Sequence, residues 1–167
     1  MFGQEKPKIL IIAPHPDDEI IGCWTVLAYK PYQGCIKVFF GEKEDGETNR
    51  SAAYFKFTVV EDLLPELDAY NDSLSARILV PDPIYEIHQD HRMWVDRVRV
   101  AIGHTNPSLV YYSVNMRAPY VRKVFTPNLK KDALDVCYPN RKDLWQMDHR
   151  YFLFEGQCKW IQHPELL

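Results

Sequence analysis

The sequence lacks several features that would place it in a specialised class of protein. Its four cysteines are widely spaced, with no Cys-x-x-Cys pair. No run of about 20 apolar residues could span a bilayer, and the polar amino terminus shows no apolar signal-peptide core. We therefore expect four reduced thiols, no membrane segment and a cytoplasmic location.

The sequence also lacks a large excess of either positive or negative charge. The chain carries 20 basic and 23 acidic residues, a net charge of −3, so we expect no nucleic-acid partner. The loop after the first predicted strand lacks the glycine-rich phosphate cradle of nicotinamide-dependent dehydrogenases, which argues against that class. What is present is an ordinary globular composition, 46% hydrophobic in 167 residues. Its length predicts one domain, residues 1–167.

Short apolar runs alternate with helical patterns along the chain. The run 8–13 is continuous and rich in β-branched residues, which is typical of a strand buried on both faces. Further strands are predicted at 35–40, 57–60, 77–81 and 109–114, with an edge strand at 120–125. Helices are predicted at 20–30, from 50, and at 65–73, 90–102 and 128–136, with 143–160 largely helical. This alternation predicts a single Rossmann-like, three-layer α/β domain with a mostly parallel sheet and helices on both faces.

Two polar clusters directly follow predicted strands. Pro14-His15-Pro16-Asp17-Asp18-Glu19 follows the first strand, and His88-Gln89-Asp90-His91 lies in the loop after the strand at 77–81. Because ligands bind at the carboxyl ends of the strands in open parallel sheets, we expect the clusters to meet there. His15, Asp18 and either His88 or His91 would supply two imidazoles and a carboxylate, the ligand set of hydrolytic zinc sites. An alternative is that Asp17 or Asp18 caps the following helix.

The two clusters resemble the signature motifs of the PIG-L/LmbE family of zinc-dependent N-deacetylases. The first, followed by Gly22-Cys23, is similar to the family's PHPDDE–GC motif, and the second is similar to its H-x-D-H motif. The resemblance implies hydrolysis of an N-acetyl group on a small-molecule amino sugar or amino-sugar conjugate, with Zn²⁺ or another divalent metal as cofactor. It implies the following roles by motif position: zinc ligands His15, Asp18 and His91; general base Asp17; oxyanion stabiliser His88, with its protonation tuned by Asp90; and substrate contact Arg50.

The chain departs from the family pattern at positions outside the metal set. Trp24 follows the Gly-Cys pair where the family often has glycine, Ala53 stands where glutamate is common, and Asn140-Arg141 replaces a late Ser-Gln. An acidic substrate contact could be either Asp62 or Asp68. The substrate therefore stays open between an amino sugar and a non-sugar acylated amine, and a non-catalytic binding module remains a third reading. The short interval before the second motif predicts an open site, and it leaves open a homo-oligomer whose neighbouring subunit completes that site.

Overall fold

A computed structural model describes residues 6–71, 73 and 75–156. Its centre is a sheet of five parallel strands in the order β3-β2-β1-β4-β5. The strands are β1 (Lys8–Ala13), β2 (Ile36–Phe40), β3 (Thr58–Val60), β4 (Ala76–Pro81) and β5 (Leu109–Tyr112). The parallel sheet predicted from the sequence is confirmed.

Helices cover both faces of this sheet. The longer ones are α1 (Asp18–Ala28), α2 (Asp45–Phe55), α3 (Leu63–Asn71), α4 (Gln89–Ile102) and α5 (Pro127–Cys137). Side chains of α1, α2 and α5 share a core with Ile9 and Ile11, whereas α3 and α4 share one with Leu10 and Ile12. The alternating residues of β1 therefore serve two cores, and the predicted three-layer architecture is confirmed. No helix among the described residues is long and apolar enough to cross a membrane.

The carboxyl-terminal part differs from the prediction. Helices α6 (Lys142–Met147) and α7 (Arg150–Leu153) are short, and strand β7 (Phe154–Gly156) follows where helix was predicted. It pairs antiparallel with β6 (Val121–Lys123) in a separate two-stranded sheet, so the predicted edge strand does not border the main sheet. The strand at 154–156 forms here because the chain passes close to Ser113. A Cβ at Gly156 would lie 2.3 Å from the carbonyl oxygen of Ser113. The rest of the predicted helix, from residue 157, lies outside the described residues, as does Cys158.

Helix α1 contains a kink, and two charged side chains bind the backbone groups that the kink leaves without helical partners. Cys23 leaves helical geometry (φ −123°, ψ 27°). The carbonyl oxygen of Ile21 accepts a hydrogen bond from Lys130 Nζ at 2.7 Å, and the amide of Thr25 donates to Glu155 Oε2 at 2.9 Å. These two backbone groups would pair with each other in a regular helix. Lys130 and Glu155 are both buried and thus tie α1 to α5 and β7.

Strand order brings the two polar clusters to one crevice. β1 and β4 are neighbours in the sheet, yet the helix after β1 packs on one face and the helix after β4 on the other. The loops therefore diverge between the two strands, which is the topological switch point where open α/β sheets bind ligands. Gly22 in the first turns of α1 belongs to this packing, since a Cβ there would lie 2.3 Å from the Tyr112 ring.

Candidate metal centre and its acidic neighbour

Three predicted ligands converge at this crevice. His15 Nδ1 lies 3.0 Å from His91 Nε2 and 3.4 Å from Asp18 Oδ2, and His91 Nε2 lies 3.2 Å from Asp18 Oδ2. His15 and Asp18 come from the β1–α1 junction, and His91 from the first turn of α4. The three donor atoms thus form a nearly equilateral triangle, assembled from segments 76 residues apart.

The triangle fits a tetrahedral zinc ion. Zinc bonds of about 2.0–2.1 Å to nitrogen and oxygen put neighbouring ligand atoms roughly 3.3–3.4 Å apart. The observed spacings of 3.0–3.4 Å agree with that size. Two imidazoles and one carboxylate also leave a fourth position for water or substrate, as catalytic zinc sites do. His15, Asp18 and His91 therefore form a group that can hold a metal ion.

Carboxylates orient both imidazoles from the side away from the triangle. Asp90 Oδ2 lies 2.8 Å from His15 Nε2, and Glu86 Oε2 lies 3.1 Å from His91 Nδ1. A carboxylate on the outer ring nitrogen holds the proton there, which directs the lone pair of the inner nitrogen into the triangle. Asp90 therefore contacts His15, and its predicted effect on the protonation of His88 stays a prediction. Glu86 was not identified from the sequence, and its other oxygen accepts the amide of Val114 at 2.6 Å.

Mutual contacts shift the pKa values of the triangle strongly. Burial alone would raise the pKa of Asp18, but hydrogen bonds with His15 and His91 outweigh it and lower the value to about 2. Burial opposes protonation of His91, but hydrogen bonds to Asp18 and Glu86 raise its pKa to about 10. The carboxylates around the two imidazoles thus create a negative potential that favours a cation in the triangle, where a metal ion would take the place of the inner ring protons.

Asp17 is buried beside the triangle with one oxygen unused. Its Oδ2 has no hydrogen-bond partner among the described residues, and the nearest cation, Arg141 Nη1, lies 3.8 Å away. Burial raises the pKa of Asp17 well above its usual value, and the charge on Asp18 adds to the effect. Its backbone is left-handed (φ 94°), a conformation that costs a non-glycine residue free energy. Asp17 occupies the cap position of α1 without making a capping side-chain bond, so the capping alternative for this residue is wrong.

Glu19 fixes the backbone of Asp17. Its Oε2 accepts the amide of Asp17 at 3.1 Å, while its Oε1 accepts hydrogen bonds from Ser51 Oγ at 2.7 Å and from the Tyr138 hydroxyl. Burial, partly opposed by these bonds, raises the pKa of Glu19 to about 7. Glu19 therefore links α1, α2 and the end of α5 to the strained turn.

His88 and Arg50 occupy different positions relative to the triangle. His88 is exposed immediately before α4, and its ring centroid lies 5.2 Å from that of His91 and 6.4 Å from that of His15. Arg50 donates to the carbonyl of Cys137 at 3.2 Å and is 44% exposed. The arginine that faces Asp17 is Arg141, which pairs with Glu44 and Glu47 at 3.2 and 3.3 Å. In the sequence, Arg141 differed from other residues only by its charge and by its departure from the family motif.

Three further expectations concern the surroundings of the site. Trp24 packs in the core with an edge-to-face contact to Phe55, so its bulk does not enter the triangle. Asp62 and Asp68 are both exposed on or next to α3. His15 and Asp90 retain 24% and 53% side-chain exposure, which agrees with the predicted open site.

The fold and the donor triangle define a class, namely parallel α/β proteins with a two-histidine, one-aspartate cation site at the switch point of the sheet. No family model matches the chain, and no curated protein matches it.

Solved structures nevertheless share the fold. The conserved protein TT1542 from Thermus thermophilus is 18% identical with a TM-score of 0.59, covering 90% of this chain and 93% of that one. The N,N'-diacetylchitobiose deacetylase from Pyrococcus horikoshii is 16% identical with a TM-score of 0.57, covering 96% and 87%. The 4-carboxy-2-hydroxymuconate hydratase from Pseudomonas putida is 15% identical with a TM-score of 0.57, covering 87% and 82%. Identities this low demonstrate the fold alone.

Proposed function

We propose that this protein is a zinc-dependent hydrolase that removes the N-acetyl group from an amino sugar or amino-sugar conjugate. The observation that carries the proposal is the buried carboxylate oxygen of Asp17, which accepts no hydrogen bond from the described residues and belongs to the neighbour in sequence of Asp18 in the His15–Asp18–His91 triangle. A cation site beside a carboxylate that can accept a proton is an arrangement able to catalyse amide hydrolysis by water. The fold likeness to a deacetylase from Pyrococcus horikoshii supports the choice of reaction.

Each residue of the site has a separate role in the proposed reaction. His15, Asp18 and His91 would hold zinc, which supplies a Lewis acid that acidifies water and polarises a carbonyl. Asp17 accepts the proton of the attacking water at Oδ2 and returns it to the nitrogen of the leaving amine. His88 donates an N–H to the carbonyl oxygen as negative charge develops on it. Water and the amide are consumed, and acetate and a free amine are released.

Supporting residues keep these groups in place. Asp90 and Glu86 hold the imidazoles, and Glu19 holds the strained turn at Asp17. Arg141, half-buried and paired with Glu47, offsets part of the negative charge around Asp17. Glu44 and Glu47 are in turn balanced by Arg141 and Arg50.

Acetate release tests the proposal. Chelator-treated protein reloaded with zinc is assayed on N-acetylglucosamine, N,N'-diacetylchitobiose and an acetylated polyamine, with an unsaturated dicarboxylate to test hydratase activity. We expect acetate release from an amino sugar, and a loss of roughly 10²–10⁴-fold in kcat for Asp17→Asn with zinc content unchanged.

The matched control is Asp132→Asn, an exposed aspartate on α5, which is expected to retain wild-type kcat. His91→Ala is expected to lose both zinc and activity. Equal rates for wild type and Asp17→Asn would remove Asp17 from the mechanism. Cleavage of the polyamine alone would move the substrate to the non-sugar class, and no reaction with any compound would favour a binding module.

A further inference from the structure

A large apolar groove runs between α3 and α4, on the face of the sheet opposite α1. Its volume is about 1010 Å³, and Leu63, Leu67 and Trp94 line its inner part. Three large apolar side chains stand exposed along it: Leu64 (63%), Val100 (79%) and Met93 (40%). Single exposed apolar residues are normal on a protein surface, but a contiguous apolar patch marks a binding surface.

The outward stripe of α4 is distinct from its core stripe. His91, Val95, Val98 and Ile102 are buried against the protein. Gln89, Met93, Asp96 and Val100 follow one another at intervals of four, three and four residues and line the groove. This spacing places one stripe of side chains along the helix, as at a helix–helix interface. The stripe therefore presents a surface suited to packing against another helix.

The two rims of the groove carry different charge. On the α3 side the rim has Asp62 and Glu61, of which Glu61 pairs with Lys43, and on the α4 side it has Arg92 and Arg97, with Asp96 between them. Arg97 is held over the Trp94 ring at 4.7 Å from its centroid. A two-fold axis along the groove would lay α3 of one molecule over α4 of another, so that each acidic rim meets a basic rim. Such a patch is self-complementary, which is the requirement for an isologous interface.

We propose that the α3–α4 groove is a homodimer interface in which Asp62 of each copy faces Arg92 of the other. Leu64, Met93 and Val100 form its apolar centre. Gln89 lines the groove and lies between His88 and Asp90 in sequence. The second copy thus borders the first turn of α4, next to the metal ligand His91. The interface does not depend on which reaction the protein performs.

Sedimentation velocity and light scattering test this interface on the full-length protein. We expect wild type to have twice the 19.7 kDa chain mass at micromolar concentration. Leu64→Glu and Val100→Glu are expected to weaken dimerisation at least tenfold. Val136→Glu and Leu129→Glu, on α5 at 55% and 56% exposure, are the matched controls and are expected to remain dimeric. Circular dichroism checks that every variant is folded.

A charge-reversal mixing experiment identifies the facing pair. Asp62→Arg alone places two arginines together at each contact, and Arg92→Asp alone places two aspartates together, so each variant is expected to be monomeric. Mixed in equal amounts, the two variants are expected to form a heterodimer. One of its contacts is the original aspartate–arginine pair, and the other is the same pair with the two positions exchanged. A monomeric wild type would overturn the proposal, as would a dimer insensitive to groove variants or a mixture that stays monomeric. Binding of a small apolar ligand in the groove of a monomer would assign the groove to that ligand instead.

Discussion

At the scale of single residues, the most consequential contact is that between Glu19 and the amide of Asp17. A non-glycine residue at φ 94° carries strain of roughly 1–3 kcal/mol, which the surrounding structure must offset. Glu19 does so through one oxygen, while Ser51 and Tyr138 hold the other. The backbone of Asp17 is thereby held in this conformation without help from a substrate.

Glu19 also makes the stability of the metal-free protein depend on pH. Its pKa rises from 4.5 to about 7 on folding, so its contribution is fully present below pH 4.5 and is lost as pH rises through 7. We expect metal-free wild type to lose about 3 kcal/mol more stability than Glu19→Gln between pH 4.5 and 7.5. Urea denaturation at both pH values measures this difference. Asp132→Asn, at an exposed acid on α5, serves as control and should follow wild type; a parallel loss in Glu19→Gln would contradict the assignment.

The residues of the candidate metal centre could be predicted from the sequence because their types and spacing are local. His15 and Asp18 lie three apart after a strand, and His88 and His91 lie three apart at the start of a helix. Glu86 and Arg141 could not be predicted in their observed places. Glu86 lies in a loop and contacts His91 through one carboxylate oxygen. Its other oxygen accepts the amide of Val114, so its position depends on the chain after β5 folding against this loop. Such contacts depend on the folded topology, which no short pattern contains.

At the scale of elements, the kink in α1 depends on a buried pair of opposite charges from two other elements. Lys130 is completely buried and binds two carbonyls, those of Ile21 and Phe154. Burial lowers its pKa to about 8, with the nearby Glu155 opposing that shift. Glu155 keeps only Arg122, at 3.8 Å, as a nearby cation among the described residues if Lys130 is removed.

Lys130→Met is therefore expected to destabilise the protein by about 3–5 kcal/mol, because it leaves the carbonyls of Ile21 and Phe154 without this donor and removes a buried positive charge near Glu155. Lys131→Met, at the next residue, breaks only a half-exposed pair with Asp135 and is expected to cost at most about 1 kcal/mol. Urea denaturation compares the two. In the double variant Lys130→Met/Glu155→Gln, the loss should be smaller than the sum of the single losses. Equal losses for Lys130→Met and Lys131→Met would show that the pair does not support the kink.

Most strands and helices from residue 8 to residue 137 could be predicted within a few residues, because apolar periodicity is a local property. The segment 154–156 could not. Phe154-Glu155-Gly156 has no alternation long enough to indicate a strand, and its conformation follows from the pairing with β6, the anchoring of Glu155 on Thr25 and the approach of Gly156 to Ser113. Short elements of this kind are determined by tertiary contacts.

At the scale of the whole molecule, the strand order converts two distant motifs into one site. The sequence predicts parallel strands but does not determine that β1 and β4 are neighbours. That adjacency brings the β1–α1 loop against the first turn of α4. A cation bound there would therefore connect the two faces of the sheet, and its binding free energy would stabilise the entire domain.

Zinc is accordingly expected to raise the melting temperature of the metal-free protein. At a free concentration about 100 times its Kd, a ligand specific for the folded state adds about 2.7 kcal/mol. For a domain of this length that corresponds to a shift of roughly 5–10 °C. Thermal unfolding at one fixed protein concentration measures the shift, so that dimerisation does not contribute to it.

The shift should disappear in His91→Ala, because two of the three donor atoms cannot reproduce the triangle. His104→Ala removes an exposed histidine beyond the end of α4 and should keep the wild-type shift. An equal zinc response in both variants would place the ion elsewhere. A third outcome is that His91→Ala loses the zinc stabilisation while wild type releases no acetate. That result would support the metal centre and reject the deacetylase activity. The melting experiment thus separates the structural role of the three ligands from the reaction proposed for them.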